Sequence, residues 1–431
     1  MDEEAAVREA RRREREEQHL YLPIKVVTTE TFSHHSTTDL TNFDGDFTTD
    51  PSAPKFFRLK KTTTVEELVK IICETLEQDP KRARLWLMVN RQNKTTRPDQ
   101  PIMDLKPTIE ETYARSAGTS RDYALRVWLE LAEEVDAQGD AIWPTYQGNA
   151  NGVVVKNDLI LLFLKYFDIE QQTLRGIGHV YVSKDKKVEE LTPIVCKKMG
   201  WGDKLPAGEQ LQMWEEIKPS MIETLKPKQS LKAAELQDGD IICFQKVPDK
   251  KSSGEILGKI NRLGDKSSEE VIKRWDRFDD AKEFYDFLVY KRDVRFDPHP
   301  RCEKENLGGF ILTLSSKMNY DQLAERVSEH LEVEPTHLRF FTVNASTGGP
   351  KAPIRRAMNM NIAQLLNPNN YQHNNLQTKP DSLYYEVLDM SLAEFDMKKN
   401  VKVWWLSEGV TKAVSMNLIL IICVTRLTEL L

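Results

Sequence analysis

One short sequence pattern recurs three times along this chain of 431 residues and limits what it can fold into. Each copy opens with an apolar or aromatic residue, two acidic or polar residues and a leucine. The copies are Val65-Glu-Glu-Leu68, Val188-Glu-Glu-Leu191 and Tyr320-Asp-Gln-Leu323. In every copy apolar residues continue at helical spacing, and a strand-like segment follows. The copies lie more than a hundred residues apart, which is too far for the stacked units of a solenoid. The repetition predicts three successive domains of one architecture.

Strand-like segments surround each predicted helix. In the second copy, residues 159–167 and 178–182 precede the helix, and residues 211–214 and 240–245 follow it. In the third copy we expect residues 401–406 to form the closing strand. Two strands, a helix that crosses them and strands that return are the order of a β-grasp sheet, the architecture of ubiquitin. We therefore predict an α+β protein with three tandem ubiquitin-like β-grasp domains, preceded by a charged α-helix.

Composition changes along the chain suggest where these domains begin and end. The expected segments are a charged connector helix (1–18), ubiquitin-like domains 1, 2 and 3 (19–133, 153–247 and 288–408), a flexible insertion with a short helix (248–287) and a divergent apolar tail (409–431). The connector is almost entirely Ala, Glu and Arg, which favours a solvated helix. The insertion is rich in Lys, Ser, Gly and Asp and cannot bury enough surface to order itself. A similar excursion, 37–54, is expected to be mobile.

Charge and cysteine content exclude several classes of function. The chain has 61 Lys and Arg against 67 Asp and Glu, a net charge of −6. This is the wrong sign for a general nucleic-acid binder, so a partner held by charge is expected to be basic. The five cysteines form no CxxC pair, so we expect no metal and no cofactor. The apolar run 416–424 is half of the ~18 residues that a membrane helix needs, so no membrane partner is expected.

Catalytic residues are not expected in this chain. A cysteine protease needs a thiol beside a histidine that an Asp or Asn orients. Cys73 and Cys196 instead occupy matching positions on two predicted helices, and Cys243 lies inside a predicted strand. Small apolar core residues explain all three. Cys302 lies in a charged loop and is expected to be an incidental exposed thiol.

An acidic turn in the second domain is the candidate binding site. Glu235, Asp238 and Asp240 surround Gly239 immediately before a predicted strand, and the turn could direct these carboxylates to one patch of solvent. Such a patch attracts the lysines and arginines of an extended segment through charge-assisted hydrogen bonds. The alternative is a polar turn without a binding role, since Asp-Gly is a common turn dipeptide.

Two glutamates on a neighbouring strand enlarge this candidate site. Glu215 and Glu216 lie near the end of a predicted strand and could add their carboxylates to the patch. A solvated strand end is the alternative explanation of both residues, and the sequence leaves the two readings open.

Several stretches resemble one protein family, in the same order along residues 8–408. They include Glu17-Gln-His-Leu-Tyr21, Arg84-Leu-Trp86, Gly178-His-Val-Tyr181, Asp238-Gly-Asp-Ile-Ile242 and Trp404-Trp-Leu406. The chain is similar to the region that follows the catalytic domain in the herpesvirus-associated branch of the ubiquitin-specific proteases, a deubiquitinase family. The resemblance implies three tandem ubiquitin-like domains that include the binding region for a herpesviral ubiquitin ligase. It also implies residence in the nucleus and cytoplasm, an upstream catalytic domain and two further downstream domains.

The resemblance also bears on the acidic turn. It implies that Glu235, Asp238 and Asp240 contact Lys-rich motifs of partner proteins. The family begins this segment with a further Asp where this chain has Ala234. We therefore expect one carboxylate fewer and a weaker affinity.

Three functions remain open at this point. The first is a non-catalytic recognition region that captures Lys/Arg-rich segments and presents them to a deubiquitinase catalytic domain. The second is a member of a cysteine-type deubiquitinase family whose catalytic domain is missing from this chain, which we expect to be a fragment, an alternative product or the result of an incorrect gene model. The third is a structural spacer between other modules, in which case the acidic turn binds nothing.

Overall fold

The computed structural model describes most of the chain outside its two ends and the predicted insertion. The described residues are 17–116, 123–148, 154–248, 277–301, 308–344, 346–356, 360–366, 381–398, 403–405 and 414–416. Most of the predicted connector helix, insertion and apolar tail therefore lies outside them, as does Cys302. The chain divides into two compact units, Met1–Leu288 and Val289–Leu431. The predicted domain boundaries stay predictions.

The first five-stranded sheet has the strand order β2-β1-β5-β3-β4. Its strands are β1 (Tyr21–Val27), β2 (Lys55–Lys60), β3 (Ala83–Asn90), β4 (Thr96–Pro101) and β5 (Leu125–Leu131). The accompanying helices are α1 (Thr29–Ser33), α2 (Val65–Thr75) and α3 (Ile109–Ser116). Helix α2 begins at a capping box, in which Thr64 Oγ1 accepts from the Glu67 N–H and the Glu67 carboxylate accepts from the Thr64 N–H. Val65, Leu68 and Ile72 then bury one helix face in the core of this sheet.

The second sheet repeats this arrangement with the order β11-β10-β14-β12-β13. Between the two sheets lie four two-residue strands, β6 (Glu134–Val135), β7 (Ala141–Ile142), β8 (Gln147–Gly148) and β9 (Val154–Val155). The second sheet contains β10 (Leu159–Asp168), β11 (Thr173–Ser183), β12 (Glu209–Lys218), β13 (Met221–Thr224) and β14 (Asp240–Pro248), with helix α4 (Leu191–Met199). Helix α4 buries Leu191, Val195 and Cys196, as its spacing predicts, and ends at Gly200 in the left-handed region.

Helix α5 (Ala281–Tyr290) follows the segment that lies outside the described residues. Phe284 and Tyr285 in its first half pack against Phe167 and Trp214 of the second sheet. A helix therefore occurs at the end of the predicted insertion. No helix among the described residues is long and apolar enough to span a bilayer.

The third sheet lies in the Val289–Leu431 unit and has the order β16-β15-β19-β17-β18. Its strands are β15 (Lys291–Pro298), β16 (Phe310–Ser315), β17 (Leu338–Val343), β18 (Pro350–Pro353) and β19 (Asp381–Val387). Its helices are α6 (Tyr320–Leu331), α7 (Ile362–Leu366) and α8 (Leu392–Asp396). Helix α6 has a capping box between Asn319 and Gln322. The third copy of the repeated pattern therefore forms a helix, as predicted.

The predicted closing strand of the third sheet is wrong. Val403–Trp405 (β20), the described part of the predicted segment 401–406, does not join the sheet and pairs with Val414–Met416 (β21) instead. The parallel partner of β15 is β19, in which Leu383 and Tyr385 are fully buried. The two alternating apolar residues of β19 fill the core, so β19 occupies the position that we assigned to the later segment.

The first two sheets share a hydrophobic cluster and belong to one compact unit. The cluster contains Val27, Phe32, Leu40, Trp86, Met88 and Trp128 from the first sheet, helix α1 and the excursion, and Leu161, Phe163 and Ile241 from the second sheet. Leu40 belongs to the excursion 37–54, and it is completely buried. The start of the excursion is therefore packed at the junction of the two sheets, whereas residues 46–49 are exposed, and mobility of that exposed part stays a prediction.

Candidate functional site

A cleft of about 990 Å³ lies where the first sheet meets the second. Seven acidic residues line it: Asp99, Glu215, Glu216, Glu223, Glu235, Asp238 and Asp240. Three basic residues also line it: Arg91, Lys156 and Lys184. We call this the acidic cleft. It contains all five residues that the sequence indicated, together with side chains from the first sheet and from the connection between the sheets.

The turn that carries the two aspartates is held tightly against the first sheet. The Asp240 N–H donates to the Gln237 carbonyl over 3.2 Å, which closes the turn. Gly239 has a φ of +84°, and a Cβ at this position would lie 2.3 Å from the Pro98 carbonyl oxygen of β4. Only glycine therefore fits, both because of its backbone angle and because β4 lies so close. The Asp-Gly pair does form a turn, and that turn is also part of the junction between the sheets.

Asp238 and Asp240 do not face open solvent, which corrects our expectation. Their exposed fractions are 7% and 5%. Arg91, in the turn between β3 and β4, donates to the Asp240 carboxylate and, over 2.6 Å, to the Asp238 carbonyl. The Asp238 carboxylate accepts from Lys156 Nζ at 2.5 Å and from the Leu161 N–H at 2.8 Å. Both carboxylates are thus paired within the chain.

Glu216 is buried completely and is the centre of an ion network. Its carboxylate accepts from Lys165 Nζ at 2.7 Å and from Arg97 Nη2 at 2.9 Å. It also accepts from the Asp39 N–H at 2.7 Å and from the Tyr285 hydroxyl at 2.6 Å. These partners come from the excursion, β4, β10 and α5, so Glu216 joins four elements. The expectation that Glu216 enlarges an exposed patch is therefore wrong, because its side chain is inaccessible.

Glu215, Glu223 and Glu235 form the open part of the cleft. Glu223 and Glu235 are exposed, and Glu215 is half-buried. Glu215 on β12 lies directly opposite Glu223 on β13, so two like charges face each other across the strands. Burial and the nearby charges of Asp240 and Glu223 raise the pKa of Glu215 to about 7. A cation placed between these carboxylates would relieve their repulsion.

The sequence did not reveal the cleft residues that come from outside the second sheet. Arg91, Asp99, Tyr146 and Lys156 approach the turn only because the two sheets pack together. No local pattern marks them, since they precede Asp238 by 82 residues or more. Glu223 was also missed, although its strand directly follows that of Glu215 and antiparallel pairing would have placed the two side by side.

The cysteines have the structural role that their spacing predicts. Cys73, Cys196 and Cys243 are buried. Burial and the charge of Asp79 raise the pKa of Cys73 to about 11, which disfavours the thiolate. Among the described residues, no group of three or more His, Cys, Asp or Glu side chains is arranged to hold a metal ion.

Comparison with known proteins places the chain in a family. Residues 83–366, more than half of the chain, match the family model described as the ICP0-binding domain of Ubiquitin-specific protease 7. The chain belongs to this domain family. Residues 382–422 match a second model, described as Ubiquitin-specific protease C-terminal. The acidic cleft, from Val89 to Asp240, lies within the first match.

Curated relatives carry the name of ubiquitin hydrolases. Ubiquitin carboxyl-terminal hydrolase 15 of Schizosaccharomyces pombe is 29% identical over 419 residues, which are 97% of this chain and 33% of the relative. Ubiquitin carboxyl-terminal hydrolase 5 of the same organism is 28% identical over 402 residues, 93% of this chain and 33% of the relative. Ubiquitin carboxyl-terminal hydrolase 7 of Drosophila melanogaster is 26% identical over 414 residues, 94% of this chain and 31% of the relative. The chain spans about one third of the length of these relatives.

Proposed function

We propose that this chain is a non-catalytic protein-recognition region of a ubiquitin carboxyl-terminal hydrolase. Its acidic cleft captures Lys/Arg-rich segments of substrates or regulators and presents them to a deubiquitinase catalytic domain. The match to an ICP0-binding domain family supports a role in protein recognition. In each of the three sheets the strands lie side by side in the order second, first, fifth, third and fourth along the chain. This repeated order supports three β-grasp, ubiquitin-like domains. Residence in the nucleus and cytoplasm belongs to the same proposal.

The observation that carries the proposal is the charge of the open cleft. Glu215 and Glu223 face each other across two strands, and Glu235 and Asp99 line the same cavity. Like charges in this arrangement repel, and together with burial the charges of Asp240 and Glu223 raise the pKa of Glu215. The amino group of a lysine or the guanidinium of an arginine would remove the repulsion and form charge-assisted hydrogen bonds. Residues of both sheets line the cleft, which suits an extended segment.

Ala234 explains how this cleft differs from the family pattern. Ala234 is half-buried and lines the cavity next to Glu235. The family that the sequence resembles has an Asp here, so this chain offers a basic segment one carboxylate fewer. Replacement of Ala234 by Asp is expected to strengthen binding of a basic peptide, because the new charge enters the same cavity.

Calorimetric titration of the full chain tests the proposal. The ligand is a peptide with the pattern Arg-x-Lys-x-x-x-Lys, at low and at physiological salt. The decisive variant replaces Glu215, Glu223 and Glu235 by Gln, since Glu223 and Glu235 are exposed and Glu215 is only half-buried. Asp238 and Asp240 are kept, because their loss would also disrupt the junction with Arg91. A control variant replaces Glu66, Glu74 and Glu77, which are exposed acids of the first domain outside the cleft.

The expected result is micromolar binding that weakens with salt and is lost in the cleft variant but kept in the control. No binding by the unaltered chain would refute capture of basic segments and favour a structural spacer. Equal losses in both variants would show that the peptide responds to net charge and not to the cleft. Hydrolysis of ubiquitin conjugates by this chain alone would contradict a non-catalytic role.

A further inference from the structure

The acidic cleft already holds a lysine, and that lysine belongs to the chain itself. Lys156 Nζ lies 2.5 Å from Asp238 Oδ2 and 4.9 Å from the centre of the Tyr146 ring. The Tyr146 hydroxyl donates to the same Asp238 oxygen over 3.2 Å. One carboxylate and one aromatic face thus surround the ammonium group, which combines an ion pair with a cation–π contact. This is the chemistry by which a protein would recognise a lysine from a partner.

Tyr146 is held in place before any lysine arrives. Its ring packs edge-on against Trp86, with ring centres 5.5 Å apart. Its φ is +54°, a backbone conformation that is uncommon for a bulky residue and that the surrounding structure must impose. Asp238 is equally fixed, since its other carboxylate oxygen accepts from the Leu161 N–H. The two groups are therefore prearranged independently of Lys156.

Lys156, in contrast, is placed where it can leave. It follows the short strand β9, which pairs with β8 directly after Tyr146. Its side chain is 42% exposed, and that of Arg91 beside Asp240 is only 19% exposed. Arg91 also bonds two separate oxygens of the turn, whereas Lys156 bonds the Asp238 carboxylate and contacts a ring. Lys156 can exchange with another lysine without leaving Asp238 as an unpaired buried charge, which would be unfavourable.

We propose that Asp238 and Tyr146 form a lysine-binding subsite of the acidic cleft, and that Lys156 is a tethered competitor which a lysine of the basic partner segment displaces. This inference rests on the proposed function, because it assigns the partner's lysine to a specific subsite of the same cleft. Capture is then an exchange of one ammonium group for another. The affinity of the unaltered chain is accordingly lower than that of a chain whose subsite is empty.

Two lysines of the same cleft provide a matched comparison. The full chain, Lys156→Gln, Lys184→Gln and Lys156→Arg are titrated with the Arg-x-Lys-x-x-x-Lys peptide under one salt condition. Lys156→Gln and Lys184→Gln each remove one positive charge from the cleft lining, so long-range electrostatics change similarly in both. Only Lys156→Gln removes the competitor, and a roughly three- to tenfold tighter Kd is expected for it, as for loss of one partly exposed ion pair. Lys184→Gln should tighten binding by about twofold or less, and Lys156→Arg should not tighten it.

A spectroscopic measurement follows Lys156 directly in the full chain. In NMR spectra of the full chain labelled with ¹³C at the lysine ε position, the signal of Lys156 is the one that is absent from the Lys156→Arg variant. The Tyr146 ring should shift the ε protons of Lys156 upfield, and saturating peptide should return them to the solvent-exposed position. An unshifted signal, or one that saturating peptide leaves unchanged, would overturn the proposal.

The outcomes separate this inference from the proposed function. Tighter binding by Lys156→Gln than by Lys184→Gln supports the competitor. Equal binding by these two variants, with measurable binding by the unaltered chain, overturns the competitor and leaves capture of basic segments intact. Absence of binding by all four proteins overturns both.

Discussion

Removal of the Glu216 carboxylate should strongly destabilise the unit formed by the first two sheets. Lys165 and Arg97 are almost completely buried, and Glu216 is the carboxylate that both contact. Glu216→Ala would leave these two cations with reduced compensation and would also remove the acceptor of the Tyr285 hydroxyl and the Asp39 N–H. Breaking a buried ion pair in this way typically costs about 3 to 5 kcal/mol. Glu216→Gln keeps an acceptor oxygen, so its effect should be smaller.

Urea denaturation of the full chain measures this effect. The buried residues Trp86, Trp128 and Trp214 report on the Met1–Leu288 unit through their fluorescence. With a denaturant slope of about 3 kcal/mol/M, the midpoint should fall by about 1 M or more. Glu223→Ala removes an exposed carboxylate of the adjacent strand and should change stability by at most about 0.5 kcal/mol. A Glu216→Ala midpoint within 0.3 M of the unaltered chain, as a rough limit from that slope, would refute the reasoning.

Three further perturbations test separate parts of the account. Because burial and nearby carboxylates raise the pKa of Glu215 to about 7, a basic peptide should bind more tightly at pH 8 than at pH 6, and Glu215→Gln should flatten the calorimetric pH profile. The pKa of Glu215 rises from its ordinary value of 4.5 to about 7 in the folded chain, so folding favours the protonated carboxyl. The contribution of Glu215 to the free energy of unfolding should therefore decline as the pH rises from 4.5 to about 7. Gly239→Ala should destabilise the chain by about 1 to 3 kcal/mol in urea, and clearly more than Gly139→Ala, which shares a positive φ but has open space around it. Leu40→Ala should lower stability by about 2 to 5 kcal/mol, and a change below 1 kcal/mol, small for a buried leucine, would contradict the packed excursion.

Local sequence patterns were sufficient to predict the repeated elements. After Val65, Val188 and Tyr320 the apolar residues recur at helical spacing, because one face of each helix packs against the sheet of its own domain. Each of these segments forms a helix or helical turn at the expected place. The prediction of a closing strand at 401–406 failed for its described residues Val403–Trp405, because a short apolar run is compatible with several positions, and the alternating Leu383 and Tyr385 fill the core.

The position of the acidic turn was predictable, but its environment was not. A charged turn before a strand can be read from Glu235, Asp238 and Asp240 alone. Arg91, however, lies 149 residues before Asp240, and only the packing of one sheet on another brings them together. The exposure of each carboxylate is therefore a property of the junction between the sheets, which no local pattern encodes. This explains why Glu215, Glu223 and Glu235 form the open part of the cleft, whereas Asp238 and Asp240 are already paired.

The most direct test of the account is to locate a bound basic peptide on the full chain. A peptide of the pattern Arg-x-Lys-x-x-x-Lys that carries a photoreactive group is cross-linked, and the attachment points are mapped by mass spectrometry. We predict attachment to residues that line the acidic cleft, such as Gln92, Ile217, Gln229 and Gln237. This attachment should disappear when Glu215, Glu223 and Glu235 are replaced by Gln. Cross-links confined to other surfaces, and unaffected by these replacements, would contradict capture of basic segments by the cleft.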